Sequence, residues 1–183
     1  MPLDLQPNLL GAVVNLRPLH QSDFEALFAV ASDPLIWEQH PARNRYQEPV
    51  FREFFDAAIA SGGALMIQET STSAVIGSSR YAGYSAAANE VEIGWTFLAR
   101  AYWAGRHNAA AKALMLEHAF GAVESVLFRV GAQNVRSQKA VLKLGAVLEG
   151  ATSARSTNEL CFRLRRADYN GRNAHLSAVQ RDA

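Results

Sequence analysis

The chain has 183 residues, 49% of them apolar, and a net charge of +1; this fits one globular domain and gives no excess charge to recruit nucleic acid or an anionic membrane. A single cysteine, Cys161, excludes an intrachain disulfide, and the histidines lack metal-ligand spacing. No apolar run nears the roughly 20 residues of a membrane span, and the N-terminus reads as free of a secretory signal, so a cytoplasmic protein without a metal is expected. Val13 to Leu19 reads as a first strand. Ser22, with Glu25 three residues later, reads as a capping box. The helix it opens has Phe24, Leu27, Phe28 and Ala31 on one face and stops at Asp33-Pro34. Residues 37–48 read as loop. Phe51, Phe54, Phe55, Ala58 and Ile59 mark a second amphipathic helix, ended by Gly62-Gly63.

Ala64–Glu69 and Val75–Tyr84, joined by Thr70-Ser71-Thr72-Ser73, read as a hairpin. From Glu90 the alternation is clean: Val91, Ile93, Trp95 and Phe97 to one face, Glu90, Glu92, Gly94 and Thr96 to the other. A loop of small and polar residues, 102–108, leads to a helix from about Asn108 to Phe120, carried by Ala109, Ala113, Leu116 and Phe120. Val126, Phe128 and Val130 form a strand. Ser137, Ala140, Val141 and Leu144 line a last short helix with Gly145 at its end. Leu160–Leu164 reads as the final strand, and 170–183 as a fraying tail. The order is β-α-α-β-β-β-α-β-α-β, a single domain over 1–183 with its core at about 13–166.

A strand that feeds a helix N-terminus through a small-residue turn can hold a pyrophosphate. The first-turn N–H groups lack intrahelical partners, and the helix dipole favours negative charge there. A strand-to-helix connection that binds nothing would use the same residue types. Asn134 and Ser137 suit the N-terminus of the last helix as caps. Cys161 reads as a small buried hydrophobe.

The runs Glu92-Ile93-Gly94-Trp95-Thr96, Tyr102-Trp103, Asn108 to Lys112, His118-Ala119-Phe120, Asn134 to Ala146 and Glu149-Gly150, in this order and spacing, resemble the GNAT acetyltransferases. Leu16-Arg17-Pro18-Leu19 with Asp23 brings the likeness nearest to the branch of the ribosomal-protein N-terminal acetyltransferases. The resemblance implies an α/β (α+β) fold: a mixed, mostly antiparallel sheet of six to seven strands flanked by helices. It also implies transfer of an acetyl group from acetyl-CoA to a primary amine, a protein N-terminus or a small amine, by direct attack in a ternary complex. The backbones of Thr96, Phe97 and Leu98 would hold the pantetheine arm. Trp103, Ala104, Gly105, Arg106, His107, Asn108 and Ala109 would wrap the pyrophosphate, with Asn134 on the pantetheine side and Ser137 near the thiol. Glu92, with Glu90 as substitute, is the expected base and Ser137 the expected acid. Trp37, His40 and Tyr84 are candidates to line the acceptor pocket. No metal, nucleic acid or membrane partner is implied, and the protein would be a monomer or homodimer. The family's loop carries glycine at the positions of Ala104 and Arg106, and Arg106 reads as the more disruptive departure. That departure supports an alternative, a GNAT-like binding or interaction module without catalysis.

Overall fold

The computed structural model describes residues 2–151 and 158–169; the tail expected to fray lies outside them. Seven strands form one sheet: β1 (Val14–Pro18), β2 (Ala64–Glu69), β3 (Val75–Ser85), β4 (Glu90–Leu98), β5 (Ser125–Gly131), β6 (Val147–Ala151) and β7 (Glu159–Arg165). Their spatial order is β1-β2-β3-β4-β5-β7-β6. Every neighbouring pair is antiparallel except β4 with β5. The helices are α1 (Phe24–Ala31), α2 (Glu48–Ala60), α3 (Arg106–Phe120) and α4 (Val135–Lys143). This is the predicted mixed sheet flanked by helices, with one strand more than the predicted order. The addition is β6. It is an edge strand whose Val147 and Leu148 are exposed, so no buried face imposes the alternation that would have marked it.

Two apolar layers sandwich the sheet. One gathers Val14, Leu16, Leu65, Ile67, Val91 and Ile93 beneath Ala111, Met115, Leu116 and Ala119 of α3. The other gathers Ala64, Met66 and Phe97 beneath Phe24 and Leu27 of α1 and Phe51 and Phe55 of α2. The run Ala64-Leu65-Met66-Ile67 is apolar throughout because its alternate residues enter different layers. Burial of these side chains, at about 25 cal/mol per Å2 of apolar surface, dominates the stability of both layers.

Helix ends follow the predicted chemistry in part. Gly62 (φ +62) and Gly145 (φ +93) take left-handed conformations just after α2 and α4. Ser22 does not cap α1. It lies in a 3-10 turn, Gln21–Asp23. Asp23 is drawn into other bonds: its two oxygens accept from Arg17 Nη1 and Nη2 at 2.8 Å each, and Oδ2 also accepts the His20 N–H at 2.8 Å. The Arg17 fork, opposed by partial burial, holds the Asp23 carboxyl below its ordinary range.

Candidate active site

The predicted alternation along β4 breaks at Trp95, which is left-handed with φ +51. Ser78 faces Phe97 and Arg80 faces Gly94, so Trp95 and Thr96 together oppose the single residue Ser79. This is a β-bulge, and its extra residue exchanges the faces of everything after it. Phe97 therefore packs under α1 and α2, 5.1 Å from the Trp37 ring, instead of joining Val91 and Ile93 under α3. Thr96 turns its hydroxyl toward α3. A left-handed bulky residue costs about 1–3 kcal/mol, so the strain in β4 is concentrated at one point.

That point borders a crevice. β4 and β5 pair only at Glu90↔Ser125, Val91↔Val126 and Glu92↔Leu127, and then part, while β5 continues along β7 as far as Gly131↔Glu159. Ala99 N–H donates to Ile76 on β3, so strand alternation turns the amide groups of Leu98 away from β3 and toward the crevice. The Leu98 carbonyl there accepts from Trp103 Nε1 at 2.8 Å. By the same alternation the backbone of Phe97 faces β3, and its side chain is buried. Of the three residues expected to hold a pantetheine arm, Thr96 and Leu98 turn toward the opening and Phe97 does not.

The chain leaves β4 through a 3-10 turn, Arg100–Tyr102, and enters α3 at Arg106, two residues before the predicted start. Gly105 precedes the helix and no side chain caps it, so its first-turn N–H groups are available to an anion. The conformation that favours glycine falls on Ala104, at φ +57. Arg106, the departure expected to matter, is an exposed first helical residue. The His107 ring meets Tyr102 edge-on at 4.7 Å, and its Nδ1 is buried without a partner. Burial moves the imidazole below its ordinary pKa. Asn108 and Ala109 complete the first turn of α3.

Across the crevice, Asn134 caps α4: its Oδ1 accepts the Ser137 N–H at 3.1 Å. Arg136, in the first turn of α4, stacks its guanidinium 3.8 Å from the centroid of the Trp103 ring and donates to the Ile36 carbonyl at 3.3 Å. The two helix N-termini are thus joined by an arginine on an indole.

The expected bases are both engaged. Glu92 is 4% exposed and ion-paired with Arg129 on β5, beyond the last β4–β5 pair. Glu90 accepts from Arg163 Nη1 at 2.8 Å, and Glu149 accepts from Arg163 Nε at 2.6 Å.

The acceptor candidates separate. Trp37 is buried and donates from Nε1 to the Ala31 carbonyl at 2.7 Å, with His40 edge-on at 5.6 Å. Tyr84 packs in the other layer, with the α3 cluster. Around Phe54, whose ring meets Trp37 edge-on, stand two arginines that sequence reading missed. Arg45 lies 4.4 Å from the centroid of the Phe54 ring, and Arg80 lies 5.6 Å from Phe54 and 4.7 Å from Trp95. Residues 35 positions apart give no local periodicity by which to find them.

Lys112 was also missed. It is 7% exposed on the inner face of α3, and its Nζ donates to Thr96 Oγ1 and, at 3.2 Å, to Ser79 Oγ. Those hydroxyls bond each other at 2.8 Å. Burial pushes the Lys112 amine down to about 7. Its place on the stripe with Met115, Leu116 and Ala119 is the signal that could have found it. Cys161 is buried, and burial raises its thiol pKa. Among the described residues no group of three or more His, Cys, Asp or Glu could hold a metal ion, and no helix is long and apolar enough to cross a membrane.

The model of the GNAT acetyltransferase domain matches residues 14–147. The chain belongs to the GNAT acetyltransferase family. Solved GNAT structures share its fold. A GCN5-related N-acetyltransferase from Brucella melitensis superposes with TM-score 0.82 at 17% identity, over 96% of this chain and 86% of that one. The acetyltransferase from Agrobacterium tumefaciens str. C58 gives 0.70 at 23%, over 87% and 95%. Mycobacterium smegmatis RimJ in complex with CoA-disulfide gives 0.70 at 16%, over 97% and 91%. No protein of curated function matches the sequence. Within this GNAT domain, the bulge at Trp95, the parting of β4 from β5 and the uncapped start of α3 form one continuous feature.

Proposed function

We propose that the protein is an acetyl-CoA-dependent N-acetyltransferase that moves the acetyl group to a primary amine by direct attack in a ternary complex. The observation that carries this reading is the parting of β4 from β5 after Glu92↔Leu127, on the strand that leads into the uncapped start of α3. The N–H groups of Arg106, His107 and Asn108 would bind the diphosphate of the donor. The backbone groups of Thr96 and Leu98 would hold its pantetheine arm, and Trp103, held by the Leu98 carbonyl, would wall it. Arg136 would leave the Trp103 ring to make room or to meet a phosphate.

The acceptor ammonium must lose a proton before its nitrogen adds to the thioester carbon. Glu92, oriented by Arg129, would take that proton directly or through water. A backbone N–H beside the β4–β5 split would stabilise the oxyanion of the tetrahedral intermediate. Collapse breaks the C–S bond, and Ser137 would protonate the leaving thiolate. Holding both substrates together supplies much of the rate. The acceptor could be a protein N-terminus, as the resemblance to the N-terminal acetyltransferases suggests, or a small amine.

Calorimetric titration with acetyl-CoA should give one site per chain, and free thiol should appear only when an amine is present. Glu92→Gln should lower kcat by about tenfold or more, a typical share for a general base. A second reading, a GNAT-fold binding module without turnover, is favoured by Ala104 at a left-handed position and by Arg136 across the crevice. Binding of acetyl-CoA with no thiol release for any amine would select it; absence of binding would end both.

A further inference from the structure

Arg45 and Arg80 are an unusual pair, because nothing in the fold calls for them. Arg80 is 6% exposed and its Nε is buried without a partner. Among the described residues neither guanidinium has a carboxylate partner. Several other arginines among the described residues do have one: Arg17 with Asp23, Arg129 with Glu92, Arg163 with Glu90 and Glu149. Arg45 and Arg80 instead converge on one ring, Phe54, and Arg80 also covers Trp95. Two like charges brought together out of water repel, and their desolvation is costly. Burial lowers both groups to about 10, and Arg80 adds to the effect on Arg45.

His40 completes the arrangement. Its Nδ1 accepts the Ala42 N–H at 2.9 Å, so the proton of the neutral ring sits on Nε2. Burial and Arg45 push this imidazole down to about 4, which keeps it neutral near pH 7. Arg45 Nη1 lies 3.1 Å from Nε2. Both are donors in that state, and two donors at this distance are satisfied by a shared acceptor. Among the described residues, Arg80 Nε is buried without a partner, and the N–H groups of Arg45 and His40 Nε2 beside it have no oxygen acceptor. The guanidinium fork fits an oxyanion in two-point contact.

We infer that Arg45, Arg80 and His40 form an oxyanion subsite for the acceptor, so that the amine acetylated also carries a carboxylate or a phosphate. This rests on the acetyltransferase reading. Arg80 stands opposite Gly94 and against Trp95, at the strained end of the crevice, whereas the donor diphosphate would lie at the α3 end. The two anions thus have separate seats, and an anion on Arg80 sets its amine beside the bulge. The subsite disfavours polyamines, whose charge repeats that of the arginines, and selects against neutral amines, which leave the donors unfilled.

The test is made first without acetyl-CoA. The twenty amino acids are titrated against their α-carboxamides, and phosphoethanolamine against ethanolamine. The expected result is at least one anionic member bound about tenfold or more tightly than its neutral partner, the scale of a charge-assisted bond. Arg80→Gln and Arg45→Gln should each remove most of that preference, and Arg80→Lys should restore part of it. The amino-acid and phosphoethanolamine arms tell carboxylate from phosphate. No anion preference in the full-length protein, or a preference that survives both Gln variants, overturns the proposal. The same pairs are then assayed by thiol release, where the preference should reside in KM. Better turnover of neutral or cationic amines also overturns it. A separate acetyl-CoA titration decides the transferase reading, so the two can fail independently.

Discussion

Two buried cationic sites flank β4, one on each face of the sheet, and they are solved differently. Under α3, Lys112 is satisfied within the fold by Ser79 and Thr96. Under α1 and α2, Arg45 and Arg80 have aromatic rings but no anion. A satisfied buried charge reads as architecture, fixing the far side of the bulge. An unsatisfied one has no structural return for its desolvation and reads as a place kept for a ligand. The contrast also shows why buried charge alone is a poor guide to function: partners decide.

The largest effect should come from making the first site like the second. Ser79→Val with Thr96→Val strands the ammonium of Lys112 and should cost about 3 kcal/mol or more in denaturant unfolding. Adding Lys112→Met should recover most of it; if it does not, the hydroxyls matter for some other reason. Next is Lys112→Met alone. Between pH 7 and about 10 the unfolded chain holds this proton and the folded one has released it, so stability should rise with pH in the parent protein. The variant should lack that slope and should gain most stability at or below pH 7. On the opposite face, Arg80→Leu should keep or raise the unfolding free energy, by up to about 2 kcal/mol, while abolishing anion selectivity. Clear destabilisation would place Arg80 among structural residues and erase the contrast. The smallest change is expected at Ala104→Gly, which should relieve left-handed backbone strain of about 1 kcal/mol.

Much of this was legible in the sequence because it is local. Period-two and period-3.6 patterns located the strands and helices that have one buried face, and Asn134 stood where a helix needs an acceptor. β6 escaped because both its faces meet little core. The bulge escaped because tryptophan is not a residue that announces a positive φ, and without it Phe97 and Thr96 fall on the wrong faces. The cap of α1 was misassigned because Asp23 is claimed by Arg17, a contact between separate elements. The arginine pair is the clearest limit. Arg45 comes from a loop and Arg80 from β3, and only the folded sheet brings them to Phe54. Ala104 and Arg106 were both visible as departures from a glycine-rich loop, but which one bears the strain depends on where α3 begins.

The three tryptophans are distributed so that the protein carries its own optical readout. Trp103 lies beneath the Arg136 guanidinium at one mouth of the crevice, Trp95 beneath Arg80 at the other, and Trp37 is sealed in the interior with its indole hydrogen fixed to Ala31. Lifting a cation from an indole changes its emission. Single Trp→Phe replacements at 95 and 103 would then give two dyes, one for each substrate, and the order in which the substrates arrive could be followed by stopped-flow without attaching a label.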